Sequence, residues 1–354
     1  MRDVAIISFA QTPMRRRVEE LNEVEMLMPA VHEALNQVDM TIDDIGFTCS
    51  GSTDCLAGMA FSFVSTLDAV GPWPPIQESH VEMDGAWALY EAWVKLQLGE
   101  IDTALVYAYA KSSPGDLPMV LTRQLDPITM GPLWPDSVSL AALQARALID
   151  AGKATEADFA EVAARSRRSA MDNPNAQLAW DRSAGEVLAE DYLVAPLRRS
   201  DCAPITDGAA AIVLAAGDVA RSKVARPAWI RGIDHRVEPI HLGLRDITVS
   251  ESTRIAADKA GVADGAVDVA ELHAPFSHQE LILREALGLG AASGTAINPS
   301  GGALAANPMM TAGLVRLGEV ANRICAGEAD RGVAHATSGP CLQQNLVCVL
   351  EGEG

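Results

Sequence analysis

Strand-like and helix-like stretches alternate along this chain and then repeat in the same order, which leaves little choice of fold. The first half opens with a buried-strand run, Val4–Ala10, then an amphipathic helix near 23–38, a strand at 45–50 and a helix near 57–69. A short strand near 79–82, a helix from 85 to about 98 and a strand at 102–109 continue it. An excursion at 112–200, carrying Trp134-Pro135-Asp136, leaves the pattern before the strand Ala209–Ala216 closes it. The second half has strand 228–234, a helix near 250–261, strand 267–273 and a helix near 277–287. Strand 295–298, a helix beginning at Pro308 and strands near 332–337 and 345–351 complete it. Alternation of this kind predicts a layered α/β protein, and its repetition predicts duplicated βαβαβαββ halves. No linker rich in Pro, Gly or Ser separates them. One packed body is expected, with halves at 1–220 and 221–354 and a cap or loop insertion at about 112–200.

Apolar residues make up 49% of the chain and charged residues 21%, so a sizeable core can be buried. The formal net charge of −20 argues against a nucleic-acid partner, because neutralising phosphates needs clustered Lys and Arg. The one basic run, Arg15-Arg16-Arg17, is short and reads as a solvated loop or an anion contact. An acidic surface still permits an anionic ligand in a local basic pocket. The cysteines, Cys49, Cys55, Cys202, Cys325, Cys341 and Cys348, form no CxxC pair and no zinc spacing. They read as free thiols of a reducing compartment, with no metal site. The N-terminal apolar run is too short for a secretory signal, and no stretch approaches the roughly 20 apolar residues of a membrane helix. A cytoplasmic protein without a membrane partner is expected.

Three segments carry the motifs. They are Cys202-Ala203-Pro204-Ile205-Thr206-Asp207-Gly208, Glu271-Leu272-His273-Ala274-Pro275-Phe276-Ser277, and the loop Asn298-Pro299-Ser300-Gly301-Gly302 that runs on to Ala306-Asn307-Pro308. Together with His80-Val81-Glu82-Met83-Asp84 and Thr337-Ser338-Gly339-Pro340, they resemble the thiolase superfamily over essentially the whole chain. The resemblance is to its lipid-transfer-protein or sterol-carrier-protein-thiolase branch, and within it to actinobacterial Ltp4-type steroid side-chain aldolases, which are not thiolases. It implies a thiolase fold, a five-layered αβαβα body.

Position by position, the resemblance puts Gly85 where thiolases carry the nucleophilic Cys. The second, acid–base Cys falls at Gly339, with Cys341 two residues beyond, and the His of the family's Gly-His-Pro becomes Asn307. Only the oxyanion-hole position keeps a titratable side chain, His273. Without a thiolate no acyl-enzyme forms by the usual covalent route. A retro-aldol cleavage of a 3-hydroxyacyl-CoA needs no nucleophile, only a base for the β-hydroxyl and fixed donors for the thioester oxygen, each good donor contributing roughly 3–4 kcal/mol. The resemblance therefore implies an aldol-lyase acting on a steroid or sterol side-chain CoA ester, with no cofactor beyond the coenzyme A of the substrate.

Each residue has a bland reading beside the chemical one. His273 is an acid–base group or oxyanion donor, or a histidine satisfied within a turn. Asn307 before Pro308 is an N-cap with Pro at the first helical position, or a substrate contact, or both. Asp84 is a cap or a displaced base. Ser300, Gly301 and Gly302 are a close backbone approach to the thioester or a structural turn. Gly85, Gly339 and Cys341 complete the candidate substrate contacts, Cys341 reading also as a small buried residue. His278 reads as a capping or surface residue, His335 as a satisfied core histidine, and His80 as a pocket-lining candidate. Gly288-Leu289-Gly290 opens no phosphate loop.

The resemblance also implies a homodimer, or a heterodimer with a thiolase-like homologue, and a small zinc-ribbon/OB-fold partner. The alternatives are a non-catalytic subunit of a heteromeric aldolase, an acyl-CoA or lipid carrier, and a thiolase using Cys341.

Overall fold

The strands of the computed structural model, which describes residues 2–290 and 293–353, show the duplication directly. In the first half they are β1 (Val4–Gln11), β2 (Phe47–Gly51), β3 (Gln77–Val81), β4 (Thr103–Ala110) and β5 (Gly208–Ala216). Their order is β1-β5-β4-β2-β3, antiparallel across the first two pairings and parallel across the last two. In the second half they are β6 (Ala228–Val237), β7 (Val269–Leu272), β8 (Ala296–Ile297), β9 (Arg331–Ser338) and β10 (Gln344–Glu351). Their order, β6-β10-β9-β7-β8, and their directions repeat the first half. The two sheets meet edge to edge where Ala5 pairs with Trp229 and Ile6 with Ala228, giving one ten-stranded sheet.

Helices fill three layers around it. The longer ones are α1 (Glu23–Asn36), α2 (Phe63–Val70), α3 (Gly85–Leu98), α4 (Ser137–Asp150), α5 (Glu156–Ser169), α6 (Glu251–Ala260), α7 (Ser277–Ala286) and α8 (Ala312–Cys325). In the middle layer, Leu89, Ala92 and Leu96 of α3 and Leu317, Val320 and Ile324 of α8 share one core with Phe9, Val106 and Ile212 of the first sheet and Ala336 and Leu346 of the second. Gly318 lets α8 lie against Phe9, since a β-carbon there would fall 2.1 Å from the ring. Outside the first sheet, α1 packs Leu27, Val31 and Leu35. Outside the second, α6 and α7 pack Ala256, Ile282 and Leu283. The αβαβα layering follows, because each sheet is apolar on both faces and must be covered twice.

The helix expected near 57–69 is broken: a single turn, Asp54–Ala57, stops at Gly58 with φ +74°, and α2 starts anew at Phe63. The 112–200 insertion contributes α4, α5 and a small ribbon of Tyr192–Val194 with Leu197–Arg198. Among the described residues no helix is long and apolar enough to cross a membrane.

Candidate active site

The parallel strands β7 and β9 end side by side, and the chain leaving them builds the site. His273 follows β7 immediately; its N–H donates to the His335 carbonyl of β9 at 3.2 Å. The Thr337 N–H donates to His273 Nδ1 at 3.3 Å, so Nε2 carries the ring proton and donates to Asn307 Oδ1 at 2.9 Å. Burial pushes the imidazole pKa down to about 3, with nearby His335 acting in the same direction and the Asn307 contact opposing. At neutral pH His273 is an uncharged donor with both nitrogens engaged. It takes a proton only by breaking the Thr337 contact, so the geometry favours the donor role over the acid–base one.

Asn307 is not the helix cap expected of it. Residues 308–311 form a turn, α8 begins at Ala312 and Thr311 holds the N-cap position. The Asn307 N–H instead donates to Thr206 Oγ1 at 3.0 Å, and its carboxamide oxygen takes the His273 proton. Its half-buried NH2 group donates to no described protein atom, and so it is the free donor of the pair. Thr206, fully buried and bridged to Pro308, is the supporting residue that sequence reading passed over. It lies inside the Cys202–Gly208 motif, which was the available signal.

Asp84, expected as a cap or a base, is a cap twice over. Its carboxylate accepts the N–H of Ala86 in α3 at 2.9 Å and those of Gly313 and Leu314 in α8 at 2.9 and 3.1 Å. Burial raises its pKa while the three N–H contacts lower it. A carboxylate committed to two helix termini does not reach for a β-hydroxyl, and the base role is withdrawn. Gly85 is likewise no substrate contact: it is buried and its N–H donates to the Met310 carbonyl at 2.8 Å.

The Asn298–Gly302 turn is held by protein rather than open to a thioester. The Ser300 N–H and hydroxyl both donate to Glu271, at 2.8 and 2.7 Å. Gly301 has φ +95° and Gly302 φ +61°, and β-carbons there would meet Ala170 at 2.6 Å and Asn298 at 2.8 Å. These glycines serve the turn itself.

Gly339, with φ +75°, turns the chain out of β9, and a β-carbon there would strike Gln343 at 2.3 Å. Cys341 is buried with Leu125 and Leu140, and burial pushes its thiol up to about 11. A protonated thiol in an apolar cluster fits the bland reading. His278 is a correction: it is fully buried in α7 rather than a surface cap, with Nε2 against Gln144 at 3.1 Å. His335 is buried in β9 as expected, paired with Asn345 at 3.0 Å, though among the described residues its Nδ1 has no partner. His80 lies on the outer edge strand β3, stacked on Phe63 and bonded to Ser50 and Glu82 at 3.0 and 3.3 Å. The site therefore unites His273 and Asn307 and leaves the other candidates as its frame. Among the described residues no group of His, Cys, Asp and Glu is placed to hold a metal ion.

No family model matches the sequence. The acetyl-CoA acetyltransferase of Methanothermobacter thermautotrophicus is 28% identical, over 94% of this chain and 93% of its own length. Sterol carrier protein 2 of Bos taurus is 27% identical over 58% of this chain and 41% of its own length. Among solved structures, human mitochondrial 3-ketoacyl-CoA thiolase superposes with a TM-score of 0.80 at 14% identity, covering 100% of this chain and 99% of that one. The Ltp2-ChsH2(DUF35) aldolase superposes with a TM-score of 0.79 at 18% identity, covering 99% of this chain and 97% of that one.

Proposed function

We propose that this chain, whose fold is that of the thiolases, is of the lipid-transfer type and serves retro-aldol cleavage of a 3-hydroxyacyl-CoA, a steroid or sterol side-chain CoA ester. The observation that carries this reading is a donor pair, His273 and Asn307, kept at the end of β7 while the nucleophile position is Gly85. In the reaction a base takes the β-hydroxyl proton and the oxygen forms a carbonyl. The Cα–Cβ pair of electrons moves into the thioester as an enolate, which a proton then quenches at Cα. A ketone or aldehyde and a short acyl-CoA leave. Asn307 Nδ2 donates to the thioester oxygen as charge gathers there, with its oxygen fixed by His273. One such donor is worth roughly 3–4 kcal/mol. Coenzyme A enters as part of the substrate, and the steps need no other cofactor.

Neither Asp84 nor His273 is free to act as the base, since Asp84 is committed to helix ends and both ring nitrogens of His273 are engaged. This supports a heteromeric enzyme in which a thiolase-like homologue or a small zinc-ribbon/OB-fold partner brings the missing group. The aldolase of similar fold is itself named as a pair. A cytoplasmic location belongs to this reading. The absent base also favours a second one, a non-catalytic subunit that scaffolds an active homologue.

The deciding experiment incubates the protein, with whatever co-purifies from its host, with a steroid 3-hydroxyacyl-CoA branched at C24. Mass spectrometry then looks for a ketone with propionyl- or acetyl-CoA. We expect product, and a loss of about 100-fold or more in Asn307→Ala and His273→Ala. Turnover indifferent to both variants makes this chain the scaffold. Substrate returned intact makes it a carrier.

A further inference from the structure

Two residues before His273, a buried charged node joins the end of β7, the Asn298–Asn307 loop and the start of α8. Glu271 of β7 and Arg316 of α8 pair at 2.7 Å, their side chains 0% and 3% exposed. Ser300 sits between them, its hydroxyl donating to Glu271 at 2.7 Å and accepting from Arg316 Nη1 at 2.7 Å. The turn around Ser300 is fastened on both sides. Asn298 Oδ1 accepts the Leu272 N–H at 2.6 Å, and Asn173 Nδ2 donates to the Ser300 carbonyl at 2.9 Å. From this turn the chain reaches Asn307 within seven residues, and α8 follows the next turn. The end of β7, the Asn298–Asn307 loop and the start of α8 are thus tied at one point.

Folding alone does not call for such a node. A buried ion pair loses in desolvation about what it gains in attraction, and well-packed apolar side chains of equal volume hold a core as well. What an apolar cluster lacks is direction, whereas hydrogen bonds at 2.7 Å fix both distance and angle. We propose that Glu271, Arg316 and Ser300 are positioning residues that set the span from the end of β7 to Asn307, and so keep His273 as the Nε2–H donor to Asn307 Oδ1. This rests on the donor-pair reading of the site. Its contribution is to name what holds the pair.

The test uses the full chain with its co-purifying partner and compares Ser300→Ala with Arg316→Lys, which keeps the charge but not the guanidinium geometry. Ser300→Cys serves as the conservative rescue. Two readouts run together: the 15N signals of the His273 ring, assigned through His273→Gln, and kcat and KM for the 3-hydroxyacyl-CoA. We expect the His273 ring to lose its single Nε2–H form in both variants. Turnover should fall about tenfold or more with KM within about twofold, and Ser300→Cys should recover part of it. Unchanged His273 signals in folded Ser300→Ala and Arg316→Lys overturn the proposal, whatever happens to thermal stability. Should the parent protein show no turnover, the lyase reading fails on its own account, and the ring signals alone still decide the positioning role.

Discussion

A β-carbon at position 85 would lie 2.8 Å from Cβ of Ala108 and 3.0 Å from Cβ of Leu314. The place where the resemblance puts the family's nucleophile is therefore filled by neighbours, and a cysteine there would have no space. Gly85→Cys is expected to destabilise the protein by about 1–3 kcal/mol through overpacking and to form no acyl-enzyme. Denaturant unfolding and intact-mass measurement after incubation with an acyl-CoA check both halves, and a trapped acyl adduct on residue 85 would contradict them. Gly85 at the position where the resemblance expects a cysteine was legible in the sequence because identity at a motif position is a local fact. The closed slot was not, since Ala108 and Leu314 come from elsewhere in the chain. Asn307 makes the same point: its sequence context of Asn before Pro reads as a cap, and only the placement of His273 shows its carboxamide in use.

At the scale of elements, Asp84 couples two helices that are far apart in sequence. A helix N-terminus offers unpaired N–H groups and a favourable field for negative charge, and here α3 and α8 direct both toward one carboxylate. Both termini are thus occupied by the protein's own anion. Asp84→Ala would leave three buried N–H groups without a partner, a loss of about 3 kcal/mol or more. Unfolding by denaturant should show that loss, and a change below about 1 kcal/mol would mean that the helices find other caps. The start of α8 is moved by the same geometry. Met310 takes φ +68° and turns its carbonyl to the Gly85 N–H, so the helix waits until Ala312 instead of beginning at Pro308. Cap chemistry in a sequence marks where a helix is able to start, and tertiary contacts chose among the starts here.

For the whole molecule, the consequence of burying His273, His278 and His335 is a dependence of stability on pH. Burial lowers their pKa values to about 3, 3 and 4, against 6.5 for an exposed histidine. Below 6.5 the unfolded chain binds protons that the folded one refuses, so stability is full above that pH and drains as pH falls toward 4. Each histidine contributes a slope of about 1.4 kcal/mol per pH unit, and the three together roughly 3–4 near pH 5. Asp84, Asp201 and Glu271, whose pKa values burial raises, oppose this at the lower end because they take up protons while folded. Urea midpoints at pH 8.5, 7.5 and 5.5 should be level between the first two and fall at the third. A flat series would place these imidazoles in contact with water.

The duplicated α/β order and the resemblance to thiolases, with Gly85 and Gly339 where that family carries cysteines, are legible in the chain alone, because periodicity and motif identity are written locally. The positions of β1 through β10 follow that reading to within a few residues. Which polar side chains are free to act depends on contacts made by folding. Asp84, Ser300, Glu271, His273 and Asn307 all look available in the chain, and most of the hydrogen bonds that commit them are made to residues brought close by folding; the contacts of Asp84 with Ala86 and of Ser300 with Gly302 are local. What remains uncommitted is the Asn307 amide group. The node at Glu271, Ser300 and Arg316 ties β7, the loop and α8 together, a relation between distant residues that no single stretch of sequence contains.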